Sequence, residues 1–120
     1  MDSIVVVEDE PQILELLTDI LEMYGYRVLP FPNADLAWQH FQDRREAPQL
    51  LITDLNMPGE IDGVGLVERV HRKFPAVPIV VASGYHIDSD SLHIDRVFWL
   101  TKPFTVDQVS DTCQMLVPQP

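Results

Sequence analysis

Five polar groups stand where apolar runs stop. Glu8 and Asp9 follow Ser3-Ile4-Val5-Val6-Val7, and Asp54 follows Leu50-Leu51-Ile52-Thr53. Ser83 follows Ile79-Val80-Val81-Ala82, and Lys102 follows Val97-Phe98-Trp99-Leu100-Thr101. Three carboxylates brought into one crevice repel each other and raise the affinity for a hard cation. Ligands that are all oxygen suit Mg2+, which keeps several waters and accepts few protein carboxylates. A Lys ammonium and a Ser hydroxyl alongside complete a pocket for a phosphoryl group, one as a point charge and the other as a donor. In such a pocket the Asp54 carboxylate can act as a nucleophile and give an acyl phosphate, a reactive and therefore temporary mark. The plain alternative for Asp54 is a cap on the following helix.

These groups meet only if the runs are strands that end at one edge of one sheet. Each run is short, largely β-branched and bounded by turn residues, which predicts buried parallel strands. Pro58 and Gly59 prevent the run before Asp54 from continuing. In open α/β sheets, sites form outside the carboxyl ends of the strands.

Between the runs the apolar period lengthens to that of a helix. Pro11 suits a first helical position, with Asp9 or Glu10 near the cap and Gly25 just past the end. Ile13, Leu17, Ile20, Leu21 and Tyr24 make the buried stripe, and Leu14, Leu16 and Met23 widen it, which predicts burial between layers. Tyr26–Leu29 reads as a short strand closed by Pro30 and Pro32. Asn33 then caps a helix that runs through Ala34, Ala37, Trp38 and Phe41 to about Arg45, making Trp38 a core residue. Leu66, Val67, Val70 and Phe74 mark a third helix, stopped by Pro75. Residues 85–96 are polar and poorly periodic and should hold at most a short helix. Thr105-Val106-Asp107-Gln108 matches a capping box for a closing helix carrying Val109, Cys113 and Leu116. Strand and helix alternate five times, so the expected fold is α/β, a parallel sheet covered on both faces. Residues 1–117 are expected to form one domain, and 118–120 a linker stub or free tail.

The 120 residues suffice for one cored domain. A net charge of −11 repels phosphate backbones and anionic lipid, so neither nucleic acid nor membrane is an expected partner of this domain. No apolar run approaches a membrane span. The single Cys113 cannot form an internal disulfide, which fits a cytoplasmic location. His40, His71, His86 and His93 have no ligand spacing and are expected at the solvated surface.

Taken together and in order, Val-Val-Glu-Asp-Glu, Leu-Ile-Thr-Asp-Leu-Asn-Met-Pro-Gly, Ala-Ser-Gly and Leu-Thr-Lys-Pro-Phe resemble the receiver domain of two-component response regulators. The resemblance covers essentially the whole chain. It implies a doubly wound (βα)5, flavodoxin-like three-layer sandwich with strand order 2-1-3-4-5, here with a short or irregular fourth helix. It implies Asp54 as phosphoacceptor, and Mg2+ held by Glu8, Asp9, Asp54 and the backbone carbonyl of Asn56. Ser83 would bond a phosphoryl oxygen and Lys102 would pair with the phosphoryl group. It further implies a cis Lys102–Pro103 bond, Ser83 and Trp99 as the switch pair, and Asn56 and Tyr85 as modulators of phosphoryl lifetime. The phosphodonor would be a histidine kinase or a histidine phosphotransfer protein, and the recipient a downstream protein or an effector domain. The chain departs from the common family form in a 57–63 loop one residue longer, in Trp99 where Tyr or Phe is usual, and in a shortened segment before the fifth strand.

Three other functions compete. A phosphatase-type hydrolase with an Asp nucleophile needs a second acid two residues on, where this chain has Asn56. A flavodoxin-like electron carrier needs a phosphate loop where Glu8-Asp9-Glu10-Pro11 stand, and that acidic loop would repel the cofactor. A receiver-like interaction module that signals without phosphate would have no use for the full acidic set.

Overall fold

The computed structural model describes residues 3–55, 59, 61–83 and 97–118. Among these residues nine elements follow in order: β1 (Ile4–Val7), α1 (Pro11–Met23), β2 (Val28–Phe31), α2 (Ala34–Gln42), β3 (Leu50–Thr53), α3 (Gly63–Lys73), β4 (Ile79–Ser83), β5 (Val97–Thr101) and α4 (Val106–Leu116). The strands form one parallel sheet in the order β2-β1-β3-β4-β5. The expected fourth-helix segment, 85–96, lies outside the described residues.

Alternation along the strands builds two cores. Val5, Val7, Leu51, Ile79 and Val81 face Ala37 and Phe41 of α2 and Leu66, Val67 and Val70 of α3. Ile4, Val6, Leu50, Ile52, Val80 and Ala82 face Leu17, Ile20 and Leu21 of α1 and Val109 and Cys113 of α4. Successive side chains of a strand point to opposite faces, so a run apolar at every position demands a helical layer on each side. Trp38 packs against the first core, as its spacing predicts. Cys113 is a core residue, and burial pushes its thiol up to about 12. Asn33 caps α2 through Leu36 N–H, and the Thr105–Gln108 capping box opens α4.

Four expectations need correcting. β2 starts and ends two residues later than Tyr26–Leu29 and runs through Pro30. Tyr26 instead lies under α4, its hydroxyl donating to the Val117 carbonyl at 2.6 Å. Pro30 fits because β2 is an edge strand. The carbonyls of Arg27 and Phe31 bond β1, so by alternation the Pro30 nitrogen faces outward, where no donor is needed. α2 stops at Gln42 rather than about Arg45, where Lys73 of α3 donates to the Gln42 carbonyl at 3.1 Å. In α1, Leu14 packs on the core but Leu16 and Met23 stay exposed, since one sheet face and α4 cover only part of the apolar arc. His40 and His71 are half-buried rather than solvated. The His40 ring lies 5.2 Å from that of Phe31, and burial lowers its pKa.

Candidate functional site: an acidic cluster at the sheet edge

β1, β3, β4 and β5 all run the same way, so the residues after them share one edge. Glu8 is the first residue beyond β1, and its backbone N–H still bonds the Phe31 carbonyl of β2 at 3.1 Å. That bond holds Glu8 in the layer of the sheet, and only 1% of it is exposed. Asp54 follows β3 in the same way: its N–H donates to Val7 at 3.1 Å, and the residue is 7% exposed. Thr53 donates its hydroxyl to the Asp54 carbonyl at 2.9 Å. Asp9 sits half-buried beside them, and the three acids each offer an oxygen within 4.8 Å of the other two.

Lys102 closes the cluster from β5. Its Nζ donates to Glu8 Oε2 at 2.7 Å and to Asp54 Oδ2 at 2.9 Å. The Lys102–Pro103 bond is cis, as expected. Burial acts to pull the ammonium pKa down, but the bonds and charges of Glu8 and Asp54 outweigh it and the net shift is upward. Glu8 moves the other way from an ordinary carboxylate. Burial pushes it from 4.5 up to about 7, against the opposing pull of Lys102 and of Glu10 N–H, with the Asp54 charge adding to the rise. The cluster therefore holds more negative charge than one ammonium balances, and every acidic donor in it is oxygen. Among the described residues, that composition fits a hard divalent cation rather than a thiolate- or imidazole-seeking one.

The connection after Asp54 is held against it by sterics. Gly63 N–H bonds the Leu55 carbonyl at 3.2 Å. A Cβ on Gly63 would lie 2.1 Å from the Asp54 carbonyl oxygen and 2.3 Å from Leu55 Cα, so α3 can start here only with glycine. Asp62 caps that start through Gly65 N–H at 2.7 Å.

Of the residues singled out from the sequence, the fold brings Glu8, Asp9, Asp54 and Lys102 together. Ser83 ends β4 at the same edge, in register with Thr101. Trp99 lies on edge strand β5 and is 39% exposed. Asn56 and Tyr85 lie outside the described residues. Gly63, packed against Asp54, escaped notice because a tight approach by a glycine has no local sequence signature. Asp35, which accepts the Ile61 N–H, escaped it too, since it carries only the signal of an acid in a first helical turn.

A family model describing the response regulator receiver domain matches residues 4–114. The response regulator GtcR of Aneurinibacillus migulanus is 31% identical over 85% of this chain and 42% of its own length. The nitrogen assimilation regulatory protein NtrX of Azorhizobium caulinodans is 34% identical over 89% of this chain and 24% of its own. The chain thus spans less than half the length of either relative. The response regulator protein TrrA of Thermotoga maritima is 28% identical and superposes with a TM-score of 0.79, covering 98% of this chain and 100% of that one. The matched span runs from the first residue of β1 into α4 and contains the whole acidic edge with its lysine, and on that ground the chain belongs to the response regulator receiver domain family.

Proposed function

We propose that this domain accepts a phosphoryl group on Asp54 and signals through the resulting change of shape. The observation that carries the reading is one ammonium, Lys102 Nζ, bonded to both Glu8 and Asp54, with Asp9 beside them at the carboxyl edge of the sheet. Glu8, Asp9 and Asp54, with the Asn56 backbone carbonyl, would hold Mg2+. When bound, the cation supplies positive charge to the phosphoryl oxygens. TrrA, similar over its whole length, was solved in complex with Mg2+-BeF.

Asp54 supplies the electron pair. One carboxylate oxygen bonds to phosphorus, the bond from phosphorus to the donor breaks, and its electrons leave with the donor. Lys102 gives up its bond to the carboxylate and pairs with the transferred group, while the Ser83 hydroxyl donates to another phosphoryl oxygen. The transfer is therefore catalysed by groups of the domain itself, and water attacking phosphorus later restores Asp54 and releases phosphate. Asn56 and Tyr85 set the rate of that last step by screening water. A histidine kinase or histidine phosphotransfer protein is the donor. A downstream protein or an effector domain receives the signal in the cytoplasm. The movement starts when Ser83 is drawn to the phosphoryl group and ends with Trp99 turning in from its exposed position.

The test is intact-mass measurement after incubation with acetyl phosphate, with and without Mg2+. One added phosphoryl group is expected in the parent with Mg2+ and none in Asp54→Asn. Labelling of that variant as complete as the parent's would defeat the assignment.

A further inference from the structure

The connection from Asp54 to α3 is fastened in its middle by a carboxylate from another helix. Asp35, in the first turn of α2, accepts the Ile61 N–H on Oδ1 at 2.9 Å, across 26 residues of sequence. Its other oxygen lies so near Gly59 that a Cβ there would approach Oδ2 to 2.7 Å. Gly59 has φ +130°, which L side chains rarely adopt, so the contact uses both freedoms of glycine. Asp35 is itself well placed to hold the strap. Fully buried Ala34 and Ala37 seat its turn on the core, and the Asn33 cap closes the turn from the other side.

We propose that Asp35 is a positioning residue for the metal site, setting Mg2+ affinity through the geometry of the β3–α3 connection. The inference rests on the reading of the acidic cluster as a Mg2+ site. Any displacement of the connection reaches Asp54 directly, because its far end, Gly63, is packed against the Asp54 carbonyl and bonded to Leu55. Without the strap, fixing the Ile61–Gly63 end of the connection against Asp54 would fall on metal binding and weaken it.

A carboxylate near a cation site also acts through its charge, and an acid in a first helical turn stabilises its helix. Gly59→Ala separates these effects, since it forces the strap open while leaving charge and α2 unchanged. Asp35→Asn does the reverse, removing the charge and keeping a carbonyl oxygen for Ile61 N–H.

The experiment is calorimetric titration of the full chain with Mg2+ at one pH, with melting temperatures in EDTA as the control for folding. Asp35→Ala and Gly59→Ala should each weaken binding roughly tenfold, the scale seen for groups that orient metal ligands. The double variant should lose no more than the weaker-binding single one, because both changes break one contact. Asp35→Asn should lie nearer the parent than Asp35→Ala does. Parent-like affinity in both Asp35→Ala and Gly59→Ala overturns the proposal, as do losses that multiply in the double variant. Should Gly59→Ala not fold, an Asp35→Asn affinity as poor as that of Asp35→Ala identifies a charge effect and overturns it equally. A parent that takes up no Mg2+ overturns the metal reading itself, whereas parent binding with unchanged variants overturns the strap alone.

Discussion

Glu8 makes the metal-free protein less stable as pH rises, and the size of the effect follows from its burial. The unfolded chain releases this proton near 4.5, while the folded protein keeps it up to about 7. Between those values the folded state binds more protons than the unfolded state, so stability falls as pH rises. Below that window both states hold the proton and above it neither does, so the contribution is flat on each side. One proton of difference is worth about 1.4 kcal/mol per pH unit, which gives a loss of about 3 kcal/mol across the window. Exposure of 1% leaves almost no solvent screening to reduce this figure. His40 produces an opposite slope, because burial lowers its pKa and stability rises as pH passes from its folded value toward 6.5. Lys102 adds no slope here, since its pKa is raised from 10.5 and it stays charged throughout. Glu8→Gln isolates the acid: urea unfolding in EDTA from about pH 5 to about pH 8 should give a parent-minus-variant difference that drops by about 3 kcal/mol. A difference that stays level with pH would show that Glu8 is not a buried acid held protonated, and would refute the electrostatic reading of the cluster.

Three further outcomes are expected. Gly63→Ala should destabilise the domain by about 3 kcal/mol or more in urea unfolding, because its Cβ would meet backbone that cannot move aside; a loss under about 0.5 kcal/mol would disprove the close approach. Tyr26→Phe removes the bond to the Val117 carbonyl, and a loss of about 1 kcal/mol with an unchanged fold should appear in thermal melts; equal melting temperatures would mean that water replaces the hydroxyl. In Trp38→Phe protein, where Trp99 is the sole indole, phosphorylation should alter emission, and Ser83→Ala should suppress the change while Asp54 is still labelled. Unchanged emission in fully labelled protein would remove Trp99 from the switch.

Much of this domain is written locally. Runs apolar at every position, such as Ile4–Val7 and Leu50–Ile52, can satisfy both faces only inside a covered parallel sheet, so the layer architecture is legible from the chain alone. The acids and the lysine at strand ends are equally legible, because position along a strand is a local property and a parallel sheet carries it to one edge. Helix starts at Asn33 and Thr105 could be read for the same reason: a cap bonds backbone only three residues away.

What the tertiary structure decided depends on partners distant in sequence. Pro30 reads as a terminator until β2 is known to be an edge strand, with an outward side that needs no donor. The end of α2 depends on Lys73 from another helix, and the exposure of Met23 on how much of α1 the sheet and α4 can cover. Burial, not residue type, moves Glu8 to about 7, and burial is a sum over the whole fold. The bond from Asp35 to Ile61 spans 26 residues and leaves no periodic trace in the chain. Such contacts form only after the layers have packed, which is why the sequence by itself shows which groups gather at the edge but not what holds them there.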